Sequence, residues 1–137
     1  MLNLKIGMTR EETIAVDEQH TADKLGNRGI VVFSTPSMLA FLEVTCRHMV
    51  ADALSEGETT VGMSVDLHHL RSTPIGMHVT CKATLTAIDG KKLSFECELR
   101  DEKEIVGRAT HDRYIMSVAK LQARVAEKKR AWEEETK

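Results

Sequence analysis

The sequence predicts an α+β domain in which an antiparallel sheet curls around one long helix. Three observations predict it. One stretch has apolar residues around most of a helix circumference, four later runs alternate apolar and polar residues with period two, and turn signals separate those runs. Size agrees with a single core, since 137 residues with 42% hydrophobic content fit one domain rather than two.

The chain can be taken in order. Residues 9–16 end in Ile14-Ala15-Val16 and read as a first strand. Residues 17–29 are polar, contain Gly26 and Gly29 and lack aromatics, which reads as a mobile loop leading to Ile30-Val31-Val32-Phe33. The central helix then begins. Thr35 suits the N-cap and Pro36 the first helical position, where a missing N–H costs nothing. Met38, Leu39, Phe41, Leu42, Val44, Cys46, Met49, Val50 and Leu54 cover most of its surface, as in a buried helix, and Gly57 suits a left-handed C-cap.

In the run from Val61 to His69 the odd positions are apolar, so His69 is in phase with the core and His68 with water. Met77, Val79, Cys81, Ala83, Leu85 and Ala87 form the next inward row. The Asp89-Gly90 hairpin signal follows, then the inward row Leu93, Phe95, Cys97 and Leu99. A turn at residues 101–104 leads to a last strand whose inward row, Ile105, Gly107, Ala109, His111, Arg113 and Ile115, is unusually small and polar. These runs read as a meander. From Ser117 the period becomes helical, with Val118, Leu121, Val125 and Trp132 on one stripe of an otherwise charged, solvated helix. The expected division is a domain of residues 1–116 and an appended amphipathic helix of residues 117–137. Open sheet edges are commonly protected by pairing across a two-fold axis, so a homodimer or higher homo-oligomer is expected.

Composition excludes several classes. A formal net charge of -2 gives no basic face for nucleic acid. Cys46, Cys81 and Cys97 are odd in number, widely spaced and set in apolar runs, so they read as buried reduced thiols and not as a disulfide framework or CxxC site. With no signal-peptide pattern and no apolar run of membrane-spanning length, a cytoplasmic protein away from membranes is expected.

Three polar groups are directed inward by pattern: Glu43 on the helix, His69 at a strand end and Arg113 late in the last strand. Each is costly alone in an apolar interior, and together they can satisfy one another. Simpler readings stand beside this one. Glu43 could pair at the rim with Arg47, one helical turn on. His69 could be a hydrogen-bonded core histidine, and Thr35 a plain cap, although a helix N-terminus also suits an anionic oxygen. Opposite orientation of His68 and His69 denies a metal two ligands there, and no HxH or HxxxH spacing supplies another, so no metal is expected. There is no GxSxG, and no cysteine is tied by spacing to a histidine.

The run Phe33-Ser34-Thr35-Pro36, Glu43 eight residues beyond Thr35, Val61-Gly62, His69 with Ser72-Thr73-Pro74-Ile75-Gly76, and Thr110-His111-Asp112-Arg113 together carry a resemblance. Over residues 8–116 the chain resembles the hotdog-fold thioesterases of the fluoroacetyl-CoA thioesterase family. That resemblance implies a hotdog homodimer that hydrolyses an acyl-CoA, with Thr35, Glu43 and His69 matching the family's catalytic threonine, glutamate and histidine. It also implies that Arg113 supports the glutamate; for such a hydrolysis, Thr35 and the Gly62 N–H are expected to orient the substrate carbonyl. Coenzyme A would enter as part of the substrate, with no other cofactor. Fluoroacetyl-selective members have aromatic lid residues ahead of the Thr-Pro run, where this chain has Lys24-Leu25-Gly26-Asn27-Arg28-Gly29. Two other readings are a non-catalytic acyl-CoA-binding hotdog dimer and an enoyl-thioester hydratase.

Overall fold

The structure, a computed structural model, describes residues 3–136. Strand β1 (Thr9–Ala15) is followed by a 3-10 turn (Glu18–His20), helix α1 (Thr35–Ala51), strands β2 (Glu58–His69), β3 (His78–Asp89), β4 (Lys92–Arg100) and β5 (Ile105–Ser117), and helix α2 (Val118–Glu135). The strands form one antiparallel sheet in the order β1-β3-β4-β5-β2, which leaves β1 and β2 as its edges. β3, β4 and β5 make the expected meander. β2 departs from it by pairing with β5 and not with β3. Residues 70–77 carry the chain between the two, anchored by the Leu70 N–H on the Val106 carbonyl (2.8 Å) and by the Val32–Pro74 bridge.

One face of the sheet receives α1. Met38, Phe41, Leu42, Cys46 and Val50 share a single buried cluster with Val79 and Leu85 of β3, Phe95 and Leu99 of β4, and Val106 and Ile115 of β5. Each such side chain, once buried, contributes about 1.5–3 kcal/mol. α2 buries none of its residues, and no helix among the described residues is long and apolar enough to cross a membrane.

The ends of α1 differ from expectation. The N-cap is Ser34, not Thr35: Ser34 has extended backbone and its Oγ accepts the Ser37 N–H at 3.1 Å. Thr35 therefore lies inside the first turn with its hydroxyl free for other work. The helix ends at Ala51 with Asp52 as C-cap, and Gly57, at φ +81°, instead turns the chain into β2. Residues 17–29, expected as a plain mobile loop, carry a turn capped by Asp17, whose Oδ1 accepts the Gln19 N–H at 2.9 Å, and bury Thr21.

In β2 the alternation changes phase. Gly62 stands opposite Arg113 and Ser64 opposite Asp112, so Met63 is an extra residue bulged from the ladder and 55% exposed. Ahead of the bulge the even positions face α1, as the burial of Thr60 shows; beyond it the odd ones do. Val65, Leu67 and His69 thus face inward as the alternation predicts, whereas Val61 and Met63 do not. A second irregularity, between Leu85 and Ala87 in β3, places Ala87 opposite Ser94 on the water side.

Candidate active site

Capping by Ser34 leaves the Thr35 hydroxyl available, and its Oγ1 lies 2.8 Å from Nδ1 of His69. His69 is the last residue of β2 and stands opposite Gly107 of β5. The pair opens on a cleft of about 470 Å³ bounded by Ala22, Ile30, Val32, Leu70 and Arg71. Burial holds the imidazole pKa below its ordinary value, against an opposing backbone hydrogen bond near Arg71, so the ring is neutral at pH 7. Its Nε2 is buried without a hydrogen-bond partner. An unpartnered buried ring nitrogen is costly, so a polar group entering the cleft can satisfy it. His68 faces the other way and meets Asp66 at 3.1 Å.

Glu43 projects from the middle of α1 toward β2 and β5. Its partner is Arg113, with Nη1 donating to Oε2 at 3.2 Å, and not the exposed Arg47 one turn along the helix. The carboxylate is not sealed in apolar packing as the helical stripe predicts. Its side chain is 39% exposed, which sets it at a cavity mouth, while Arg113 is 4% exposed. The cavity, about 200 Å³, is bounded by Leu39, Leu42, Gly62, Met63 and Val65 besides Glu43. Gly62 makes the approach possible, because a Cβ there would overlap Glu43 Oε2 and lie 3.5 Å from His111 Cε1.

Arg113 is anchored on its far side by Nε to Thr60 Oγ1 and Nη2 to the Thr60 carbonyl, both at 2.8 Å. Burial lowers its pKa, opposed by the Glu43 charge, and a guanidinium stays protonated regardless. Thr60 and His111 belong to this cluster but were not singled out as site residues from sequence. Thr60 was hidden by the phase change in β2. His111 was signalled by the small, polar inward row of β5. Among the described residues no group of three or more His, Cys, Asp or Glu could hold a metal ion.

The chain thus presents two hydrogen-bonded polar pairs, Thr35–His69 and Glu43–Arg113, at different heights along α1. Thr35 and Glu43 are eight residues apart, about 12 Å at 1.5 Å per residue.

A five-stranded antiparallel sheet around one helix, with these pairs on it, defines the chain as a hotdog-fold thioesterase. The structure superposes on a crystal structure of the fluoroacetyl-CoA-specific thioesterase FlK with a TM-score of 0.88 and 26% identity, covering 92% of this chain and 98% of that one. A thioesterase superfamily member from Thermus thermophilus gives a TM-score of 0.90 at 26% identity, covering 97% and 98%. Residues 16–119 match the family model described as FlK, fluoroacetyl-CoA-specific thioesterase. The fluoroacetyl-CoA thioesterase of Streptantibioticus cattleyicolor is 32% identical over 97 residues, 71% of this chain and 70% of that protein. The chain belongs to the fluoroacetyl-CoA-specific thioesterase family.

Proposed function

We propose that the protein hydrolyses small or medium acyl-CoA thioesters to the free acid and coenzyme A, with Glu43 as the reactive carboxylate. The observation that carries this reading is the Glu43 carboxylate held by Arg113 at a cavity mouth, with Gly62 leaving it room. A thioester carbonyl is electrophilic and a thiolate leaves readily, so a positioned base or nucleophile and donors for the oxyanion suffice. Glu43 takes a proton from the attacking water, or attacks the carbonyl itself, expelling the thiolate to leave an anhydride that water then hydrolyses to the free acid. With Thr35 donating to Nδ1, the Nε2–H of His69 is unspent and is aimed at the oxyanion or the departing sulfur. Thr35 thereby fixes the His69 tautomer that faces the carbonyl, and the Gly62 N–H helps to orient it.

The site is read as shared within a homodimer. Separation of the two pairs along α1 keeps a chain from closing them on one carbonyl, and β2, beside Glu43, is an open edge that a second copy can extend. Coenzyme A comes with the substrate and no other cofactor is invoked. Residues 1–116 form the catalytic unit and residues 117–137 an added helix, in keeping with the lack of buried residues on α2. Three free, buried thiols fit a reducing cytoplasm. Selectivity for fluoroacetyl groups is not assigned, because residues 24–29 carry no aromatic side chain to shield the cleft.

The test is thiol release from a panel of acetyl-, fluoroacetyl-, butyryl-, hexanoyl- and crotonyl-CoA by wild type and Glu43→Ala. Expected is turnover of several short chains and a loss of about 10²–10⁴-fold in the variant. Absence of thiol release from every acyl-CoA, or an unimpaired Glu43→Ala, overturns the reading.

A further inference from the structure

His111 has no part in the mechanism above, yet it is 3% exposed and sits between the β2 bulge and the arginine that holds Glu43. Its Nδ1 is 2.8 Å from the Ser64 carbonyl, and its Nε2 is 3.2 Å from Arg113 Nη1. We propose that neutral His111 is a positioning residue for catalysis: its Nε2 lone pair fixes the Arg113 guanidinium, and through it the Glu43 carboxylate, and protonation of the ring releases that hold. The proposal rests on Glu43 being the reactive carboxylate.

Hydrogen inventory fixes the ring's form. A carbonyl only accepts, so Nδ1 carries a proton toward Ser64; a guanidinium only donates, so Nε2 must present its lone pair. Arg113 already spends Nε and Nη2 on Thr60. Nη1 is the nitrogen shared between Glu43 and His111, one N–H for each. An imidazolium would set N–H against N–H across 3.2 Å and place two cations side by side, so the guanidinium or the ring must turn away.

The groups around His111 favour the neutral form. On β5 it meets Arg113 and feels Asp112, which is itself engaged with Ser64 Oγ at 3.1 Å and Lys92 at 3.9 Å. From α1 come Glu43 and, beyond Arg113, Cys46 and Arg47; from β2, the Ser64 carbonyl and Gly62; from β4, the uncharged Phe95 ring, 6.2 Å away between centroids. Burial foremost, with the Arg113 charge added, lowers the His111 pKa against the Ser64 carbonyl, Glu43 and Asp112. The hold is therefore complete above about pH 6.5, the ordinary histidine value, and is lost as pH falls through the lower folded value.

Three proteins test this: wild type, His111→Gln, whose amide oxygen can accept from Arg113 without ionising, and His111→Leu, which cannot accept. Expected near pH 7.5 is a kcat at least about tenfold lower in His111→Leu with KM little changed, and recovery to within about threefold in His111→Gln. The acid limb of kcat, to which His69 also contributes, should be shallower by one proton in His111→Gln. Nitrogen-15 NMR of labelled histidine should show His111 protonated on Nδ1 alone at neutral pH, an observation that stands even if His111→Leu fails to fold. A ring protonated on Nε2 at neutral pH overturns the proposal. So do wild-type kcat and pH profiles in both variants while Glu43→Ala is inactive. An active Glu43→Ala would instead remove the reading beneath it.

Discussion

Glu43 owes its position to a neighbour without a side chain. Gly62 does not sit at positive φ, so alanine is tolerated by the backbone there, but its Cβ would occupy the space of Glu43 Oε2. We expect Gly62→Ala to fold normally and to lose about 10–100-fold in kcat, since a displacement near 1 Å at the reacting group is enough for that. Steady-state kinetics on a turned-over acyl-CoA checks it, and a kcat within twofold of wild type removes the spatial role. At this scale the sequence was partly legible. The helical angle of 100° per residue aimed Glu43 at the sheet, but its partner was hidden. Arg47 at i+4 satisfies the same chemical need as Arg113 seventy residues away, and only the folded sheet chooses between them.

Among the elements, regular strands were read well and their irregularities were not. The inward row of β4 follows from alternation alone, and that of β5 does so from Gly107 onward; at its start, where the ladder slips beside Arg100, Val106 and not the expected Ile105 is fully buried. The bulge at Met63 adds one residue with no distinctive side chain, so alternation carried through it reversed the faces of Thr60 and Val61. At α1 the ambiguity lay between two adjacent residues of nearly equal capping power, Ser34 and Thr35. Ser34 takes the cap and thereby releases Thr35 to His69. Ser34→Ala should lower stability by about 0.5–2 kcal/mol, a melting shift of a few degrees by circular dichroism. Thr35→Ala should leave the melting temperature nearly unchanged while lowering kcat. Exchange of those two outcomes would return the cap to Thr35.

For the whole molecule, the sheet order leaves β2 unpaired on one side and sets Glu43 beside that edge. If two copies complete each site, Thr35→Ala and Glu43→Ala chains should complement each other. Each mixed dimer then carries one site with both residues intact and one with neither. Co-refolding equal amounts should restore up to about a quarter of wild-type activity from two inactive parents. A dimer by light scattering with no recovered activity would refute a shared site. The curled α+β architecture was legible because it depends on periodicity summed over many residues. A site shared between two copies, as proposed, leaves no such mark, since nothing in a linear pattern says where a second copy sits.

The sulfur atoms carry a practical consequence. Cys46, Cys81 and Cys97 are buried, with the Cys46 and Cys97 sulfurs 3.5 Å apart. Hydrogen bonding among the thiols, together with burial, raises the pKa of Cys81 and Cys97 far above the ordinary cysteine value. Thiolates are the species that chromogenic disulfide reagents consume. Such a dye should therefore colour with coenzyme A as it is set free and leave the intact enzyme unstained, so turnover can be followed continuously on the native polypeptide, its own sulfur counted only once it unfolds.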